Sequence, residues 1–84
     1  MDAPRNIVGP QVIAIRHRHK WSQSDLAREC QLKGWDVSRG VIARIEGQVK
    51  WVCDTELLEL ARALRVSVPE LFPKRFARCF KSKS

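Results

Sequence analysis

The segment Ser38–Gly47 holds the side chains whose chemistry is easiest to assign. Arg39 and Arg44 carry guanidinium groups, and a guanidinium can donate two hydrogen bonds at once to O6 and N7 of guanine in the major groove. Gly40 has no side chain and so permits close approach to another molecule, and Val41 offers methyl groups to the methyl of thymine. These residue types on one short helix indicate contact with DNA bases. They are also compatible with an ordinary solvated helix surface.

Residue sets that support catalysis or metal binding do not stand out in the sequence. It has no paired carboxylates, no Ser–His–Asp set and no glycine-rich loop that would cradle a phosphate, so we expect no catalytic site and no enzymatic activity. His17 and His19 are two residues apart and would lie on different faces of a helix. The three cysteines are widely spaced and form no CxxC pair, which argues against a disulfide framework or a zinc site. We therefore expect no metal and no cofactor.

Helix signals run along the chain, without a sustained strand pattern. The predicted helices begin at Gly9–Pro10, Ser22, Ser38, Asp54 and Ser67. Their apolar stripes are Val12 and Ile15; Leu26, Ala27 and Cys30; Ile42 and Ile45; and Leu57, Leu60, Ala61 and Leu64, with Leu58 alongside. Residues 31–36 are predicted to connect the second helix to the third, and this short, closely joined pair suits a helix-turn-helix. The sequence therefore predicts an all-α, compact five-helix domain.

Three stretches of the chain resemble the phage repressor–Cro (Xre-type) helix-turn-helix family. They read SQSDLA at Ser22–Ala27, VSRGVIARIEG at Val37–Gly47 and ELLELARALRVSVPELF at Glu56–Phe72. The resemblance extends from about Val8 to Phe72. The stretch LKGWDVSR resembles the subset of the family that has a lengthened turn between the two motif helices.

The resemblance implies roles for individual residues. Gln23 matches a glutamine that touches the DNA backbone at the start of the second helix, where a helix N-terminus favours phosphate. The recognition helix would span about 38–47 and lie in the major groove. Its groove-facing positions match Ser38, Arg39, Gly40, Val41 and Arg44. Arg16 and Glu46 match an ion pair that joins the first helix to the third, and their role would be structural.

The chain departs from the family pattern after the third helix. The family usually has glycine where Gln48 stands, so we expect the third helix to end at Gly47 with a shifted turn. Gln48 and Lys50 lie in the loop that commonly approaches phosphate, and both are candidate DNA contacts. Cys53 stands where the family has a threonine N-cap, and we expect Asp54 to take over as the cap.

The three tryptophans have different expected environments. Trp21 is expected to cover the core beneath the two motif helices. Trp35 and Trp51 could pack in the core, against the DNA backbone or against a partner, and joint exposure of both would mark an interface.

The C-terminal tail, residues 73–84, has five basic residues and no acidic residue. The basic residues are Lys74, Arg75, Arg78, Lys81 and Lys83. Phe72, Phe76 and Phe80 would form a helical stripe if a helix continued past Pro73. A disordered arm on DNA phosphates, an amphipathic dimerisation helix, a membrane-surface helix and a segment without a role all remain open.

Composition and charge limit the class of protein. The 84 residues have a mass of 9.7 kDa, which predicts one folded domain over residues 1–72. The formal net charge of +7 indicates a polyanionic partner, either nucleic acid or an anionic membrane. The tail supplies five of these seven positive charges. No signal peptide and no apolar run of about 20 residues is recognisable, so we expect a cytoplasmic protein that does not span a membrane.

Two functions follow as expectations. The first is a sequence-specific regulator of transcription that binds double-stranded DNA. The resemblance implies that such proteins often bind as homodimers to paired half-sites, about 34 Å apart when they are separated by one turn. We expect no small-molecule effector within this chain, because no ligand domain follows the motif. The alternative is a protein-interaction module, antitoxin-like or a co-regulator, on the same fold.

Overall fold

Helices account for all the regular secondary structure in the residues that the structure describes. The computed structural model describes residues 3–80, so Lys81 and Lys83 of the predicted tail lie outside the described residues. The α-helices are α1 (Gly9–Arg18), α2 (Gln23–Leu32), α3 (Arg39–Glu46) and α4 (Asp54–Leu64). Two 3-10 helices follow, which we call the fifth helix (Val68–Leu71) and the tail helix (Lys74–Phe80). The predicted all-α class is confirmed.

Serine side chains begin α2 and α3, as the sequence predicts. Ser22 Oγ accepts a hydrogen bond from the Asp25 backbone N–H at 3.0 Å, and the Asp25 carboxylate accepts one from the Ser22 backbone N–H at 2.8 Å. These bonds to Ser22 lower the pKa of Asp25, because they favour the ionised carboxylate. Ser38 Oγ accepts from the Val41 backbone N–H at 3.3 Å. Each serine therefore satisfies a backbone donor that the first turn of a helix leaves without a partner.

The N-cap of α4 differs from the expectation. Cys53 has extended backbone angles and occupies the N-cap position, so the prediction that Asp54 takes over as the cap is wrong. The physical reason is that Glu56 supplies the missing polar group: its Oε1 accepts from the Cys53 backbone N–H at 3.0 Å. The start of α4 is thus fixed by a carboxylate three residues into the helix rather than by the cap side chain.

All four α-helices end in the same way, with a residue in the left-handed conformation followed by a backbone bond to the last turn. The left-handed residues are Lys20, Gly34, Gln48 and Arg65. The N–H of the next residue donates back in each case: Trp21 to Arg16 O, Trp35 to Cys30 O, Val49 to Arg44 O and Val66 to Ala61 O. This is the Schellman arrangement, for which glycine is the usual residue.

The end of α3 corrects one prediction and the end of α2 another. Gly47 has a right-handed φ of −79°, whereas Gln48 has a φ of +62°, so the turn is not shifted and the left-handed position falls on Gln48. At α2, Gly34 at φ +97° allows the helix to continue through Leu32. The connection therefore begins two residues later than predicted.

The core is formed by one face of each helix. Its fully buried side chains include Leu26, Ile42, Ile45, Leu60, Leu64 and Leu71. Helix α2 packs against both α3 and α4, and α1 lies across α3, α4 and the fifth helix. Cys30 of α2 is part of this core, and its burial raises the pKa of the thiol to about 12. Leu58, expected beside the apolar stripe of α4, is 53% exposed.

The N-terminal segment before α1 is fastened to the turn after α3 by Asn6. Its Nδ2 donates to the backbone oxygens of Ile45 at 3.1 Å and Lys50 at 2.9 Å. Its Oδ1 accepts from the backbone N–H groups of Val8 at 3.1 Å and Gly9 at 2.9 Å, which begin α1. One side chain thus caps α1 and holds the end of α3.

Gly9 has the closest backbone approach between helices of any glycine in the described chain. A Cβ built there would lie 2.6 Å from Ile45 O and 2.8 Å from Glu46 O. The absence of a side chain is therefore what lets the start of α1 touch the end of α3.

The tail helix does not form the predicted stripe. Phe72 is extended, as expected for a residue before proline, and the following seven residues form a 3-10 helix rather than an α-helix. The Phe80 ring turns back towards Phe72, with 5.3 Å between ring centroids, and the Arg75 guanidinium lies 4.8 Å from the centre of the Phe76 ring. Neither an amphipathic α-helix nor an arm without secondary structure describes Lys74–Phe80.

Candidate nucleic-acid interface

The connection between α2 and α3 is long but ordered. Val37 is buried and Trp35 is half-buried against the core, so two apolar side chains fix the six residues 33–38 to the domain. Gln31 Nε2 donates to Val37 O at 2.8 Å and spans the connection. Because the connection is anchored at both ends, α3 is held in one orientation relative to α2.

The outward face of α3 is formed by two arginines and two glycines. Ile42, Ile45 and Glu46 are buried, while Arg39, Gly40, Arg44 and Gly47 are exposed. Gly40, Arg44 and Gly47 have the i, i+4, i+7 spacing of one helix stripe. We call Arg39, Gly40, Arg44 and Gly47 the outward stripe. It presents cationic side chains beside bare backbone, a shape that can enter a groove.

The predicted site residues Gly40, Ser38 and Val41 occupy distinct environments in this helix. A Cβ at Gly40 would meet only Arg44 Nη1 and Ser38 Oγ, each at 3.7 Å, which is ordinary contact distance. Packing within the chain therefore does not require glycine there. Ser38 is exposed and its hydroxyl caps the helix, and Val41 is half-buried and packs partly against the core.

A buried ion pair joins α1 to α3. Arg16 Nε and Nη2 donate to the two carboxylate oxygens of Glu46 at 2.7 and 3.0 Å, as the resemblance implied. Arg16 Nη1 also donates to Trp21 O at 2.8 Å. The two side chains are 10% and 4% exposed, so loss of either partner would leave a poorly solvated charge without compensation.

Gln23 is part of the same network. Its Nε2 donates to Glu46 Oε1 at 2.9 Å, and the residue is half-buried. The predicted contact at the start of α2 is thus tied directly to the end of α3. This bond fixes the position of the first turn of α2, where Gln23 lies beside the exposed residue Ser24.

Gln48 and Lys50 are also held by other parts of the chain. Gln48 Nε2 donates to Asn6 O at 2.9 Å. Lys50 Nζ donates to Glu56 at 3.0 and 3.1 Å and to Trp51 O at 2.9 Å. Partial burial alone would raise the pKa of Glu56, but the bonds from the Cys53 amide and from Lys50 lower it. Both predicted loop contacts therefore also stabilise the turn after α3.

The distribution of ion pairs separates two groups of cations. Arg16, Lys50, Arg62 and Arg65 each pair with a carboxylate within the chain. Arg39 and Arg44 form neither an ion pair nor a side-chain hydrogen bond with any residue between 3 and 80. An external anion would meet these two guanidinium groups without displacing an internal partner.

The tryptophans do not share one surface. Trp21 is half-buried and stacks on His19 with ring centroids 4.2 Å apart, while His19 Nε2 lies 2.7 Å from Leu64 O. Trp35 is half-buried, but Trp51 is 70% exposed and follows Val49, which is 57% exposed. The joint exposure of Trp35 and Trp51 that would mark an interface is not found.

Asn6 and Gly9 support the site and were not singled out in the sequence. Both hold the turn after α3, and the signal that could have found them is the short Asn6–Pro10 segment with an Asx-type cap before a proline-initiated helix. Their partners on α3 are about 40 residues away, so local patterns do not indicate them.

Other kinds of site were sought over the same part of the chain. Within residues 3–80, no three His, Cys, Asp or Glu side chains lie close enough together to hold a metal ion. None of the helices there combines the length and apolar composition needed to cross a membrane. Comparison with protein-family models, with curated proteins and with solved structures finds no match.

Proposed function

We propose that the chain is a sequence-specific regulator of transcription that binds double-stranded DNA, of the phage repressor–Cro (Xre-type) helix-turn-helix kind. Helices α2 and α3 form the motif, and α3, with its cap at Ser38 and its end at Gly47, lies in the major groove. The outward stripe carries this proposal, because Arg39 and Arg44 are exposed beside glycine backbone and have no internal partner in residues 3–80. Three free cysteines fit a reduced, cytoplasmic setting.

The dimensions of α3 support this placement. Its eight residues give a length of about 12 Å, close to the width of the major groove. Its inner face is fixed by Ile42, Ile45 and the Glu46 ion pair, so the outward stripe is presented by a rigid element. Rigidity favours specific recognition, since little conformational entropy is lost on binding.

The proposed contacts divide into base readers and backbone contacts. Arg39 and Arg44 read base edges, Gly40 admits the close approach of a base pair, and Val41 contributes the accessible part of its methyl groups. Ser38 and the first turn of α2 at Gln23 face phosphates.

Gln48 and Lys50 are proposed to act mainly by shaping the loop that passes the DNA backbone. Lys50 has to share its ammonium group between Glu56 and a phosphate. Its contribution to binding should therefore be smaller than that of an arginine without an internal partner.

Selection of bound sequences from random duplex DNA tests the function. The proposal predicts enrichment of a defined site several base pairs long, and a symmetric site with two half-sites if the chain binds as a homodimer. Enrichment of no sequence, together with a partner protein that co-purifies in a fixed ratio, would instead support a protein-interaction module.

One observation favours that second function. Trp51 and Val49 are exposed in the loop after α3, and exposed tryptophan is enriched where proteins bind one another. A Trp51→Ser variant separates the two functions. It should abolish capture of a partner if the chain is an interaction module, and leave the selected DNA sequence unchanged if the chain is a DNA-binding regulator.

A further inference from the structure

The segment before α1 lies against the end of α3. The Arg5 backbone N–H donates to Gln48 O at 2.9 Å, and Gln48 Nε2 returns a bond to Asn6 O at 2.9 Å. Asn6 then fixes the next residues through its four side-chain hydrogen bonds, described above. We call residues 3–6 the N-terminal arm. Its backbone is part of the folded domain at the point where Arg5 leaves it.

An open cleft of about 350 Å³ separates the N-terminal arm from the turn after α3. Its lining residues are Ala3, Pro4 and Arg5 on one side and Gly47, Gln48 and Val49 on the other. Gly47 also belongs to the outward stripe, so the cleft continues the surface on which Arg39 and Arg44 lie. The arm therefore adds a second wall to the proposed DNA-binding face at the C-terminal end of α3.

Arg5 is the cation of this wall. It is exposed, and it forms no ion pair and no side-chain hydrogen bond with the described residues. The carboxylates nearest to this turn are already committed, Glu46 to Arg16 and Gln23 and Glu56 to Lys50. An anion in the cleft would thus be attracted by Arg5 without competition from a neighbouring acid.

We propose that Arg5 binds a DNA phosphate next to the bases that α3 reads. The inference rests on the proposed function, because the phosphate belongs to the duplex held by the outward stripe. Phosphate rather than a base edge is the partner, since Arg5 stands beside the end of α3 and not on the stripe itself. The fixed backbone of Arg5 means that only its side chain has to be ordered on binding.

The test compares Arg5→Ala with Arg18→Ala in the full chain. Arg18 is also exposed and unpaired, and it lies at the other end of α1, roughly 14 Å along the helix from Gly9. The probes are the duplex selected by the unaltered chain and an unrelated duplex of equal length, each titrated at several salt concentrations. Thermal unfolding of both variants checks the fold, which should not change because neither side chain has an internal bond.

Arg5→Ala should weaken binding to both duplexes by a similar factor, roughly tenfold, and should reduce the slope of log K against log salt by about 0.9. Arg18→Ala should change neither quantity. The inference is overturned if Arg5→Ala binds like the unaltered chain, or if it loses affinity for the selected duplex alone. If the unaltered chain and Arg18→Ala bind no duplex, the proposed function itself fails and Arg5 falls with it.

Discussion

At the scale of single residues, Arg39 and Arg44 differ from the arginines that build the fold. Arg16 is buried and paired with Glu46, and Arg62 pairs with Glu59 three residues earlier on α4. Arg39 and Arg44 have no such partner within residues 3–80. Their guanidinium groups are therefore available for planar, two-bond recognition of a base or a phosphate.

Replacement of Arg44 tests the availability of these groups. Arg44→Ala should weaken binding to the selected duplex by about 1–3 kcal/mol, because one guanidinium contact to a base is lost. Arg62→Ala is the matched control: it removes an exposed helical arginine on α4 and should leave affinity nearly unchanged. Fluorescence anisotropy with labelled duplex measures both, and equal effects of the two changes would contradict a specific role for Arg44.

Gly40 allows stability and binding to be separated. Gly40→Ala should raise the free energy of unfolding by about 0.5 kcal/mol, since alanine favours helix and the added Cβ meets only contacts at 3.7 Å. The same methyl should weaken binding to the selected duplex if a base pair approaches the backbone there. Urea unfolding and anisotropy on the same sample measure the two effects. Unchanged or tighter DNA binding would show that Gly40 is an ordinary helix position.

At the scale of helices, the starts follow from local chemistry and the ends do not. Ser22 with Asp25 and Ser67 with Glu70 are recognisable from their spacing alone, and each pair forms the expected bonds. Of the four left-handed residues that end the α-helices, only Gly34 is a glycine. Sequence therefore indicated where the helices begin, whereas the turn at Gln48 needed the structure.

Lys20 offers a direct test of these helix ends. It is exposed, has a φ of +61° and forms no side-chain bond with a described residue. Lys20→Gly should increase the free energy of unfolding by about 1 kcal/mol, because glycine adopts this conformation without steric cost. Gly34→Ala, at φ +97°, should lower it by a similar amount or more. A destabilised Lys20→Gly variant in urea unfolding would contradict the left-handed turn.

The capping carboxylates predict how stability depends on pH. Hydrogen bonds from the Ser22 amide and hydroxyl lower the pKa of Asp25 from its usual 3.8, and the same groups of Ser67 lower the pKa of Glu70 from 4.5. The unfolded chain then binds more protons than the folded chain below about pH 5. The stabilisation is present above that pH and is lost as the pH falls.

A Glu70→Gln variant isolates one of these carboxylates. Its free energy of unfolding should fall less steeply between pH 5 and pH 3 than that of the unaltered chain, as followed by urea unfolding at each pH. An equally steep decline would mean that the Ser67–Glu70 cap does not contribute to acid sensitivity.

At the scale of the whole molecule, distant segments support the proposed DNA-binding face. Asn6 connects the N-terminal arm to the turn after α3, and Glu46 connects α1, α2 and α3 through Arg16 and Gln23. These links join residues between 23 and 44 positions apart, so local sequence patterns do not reveal them. The exposed residues of α3 could be predicted because helical periodicity alone separates Ile42 and Ile45 from Gly40 and Arg44.

Charge also has to be judged over the whole molecule. Of the net charge of +7, the tail carries five units, and much of the remaining positive charge lies in internal ion pairs. A high net charge accounts for general attraction to a polyanion, whereas a preference for one sequence depends on a few side chains of α3.

The central claim is that α3 reads the sequence of a DNA duplex, and parallel selections from one random duplex pool test it most directly. The unaltered chain and Arg39→Ala are used side by side, with Arg62→Ala as the control. We predict a defined motif for the unaltered chain and for Arg62→Ala, and loss of preference at one base pair of that motif for Arg39→Ala. The same motif from all three proteins, or no motif from the unaltered chain, would contradict the claim.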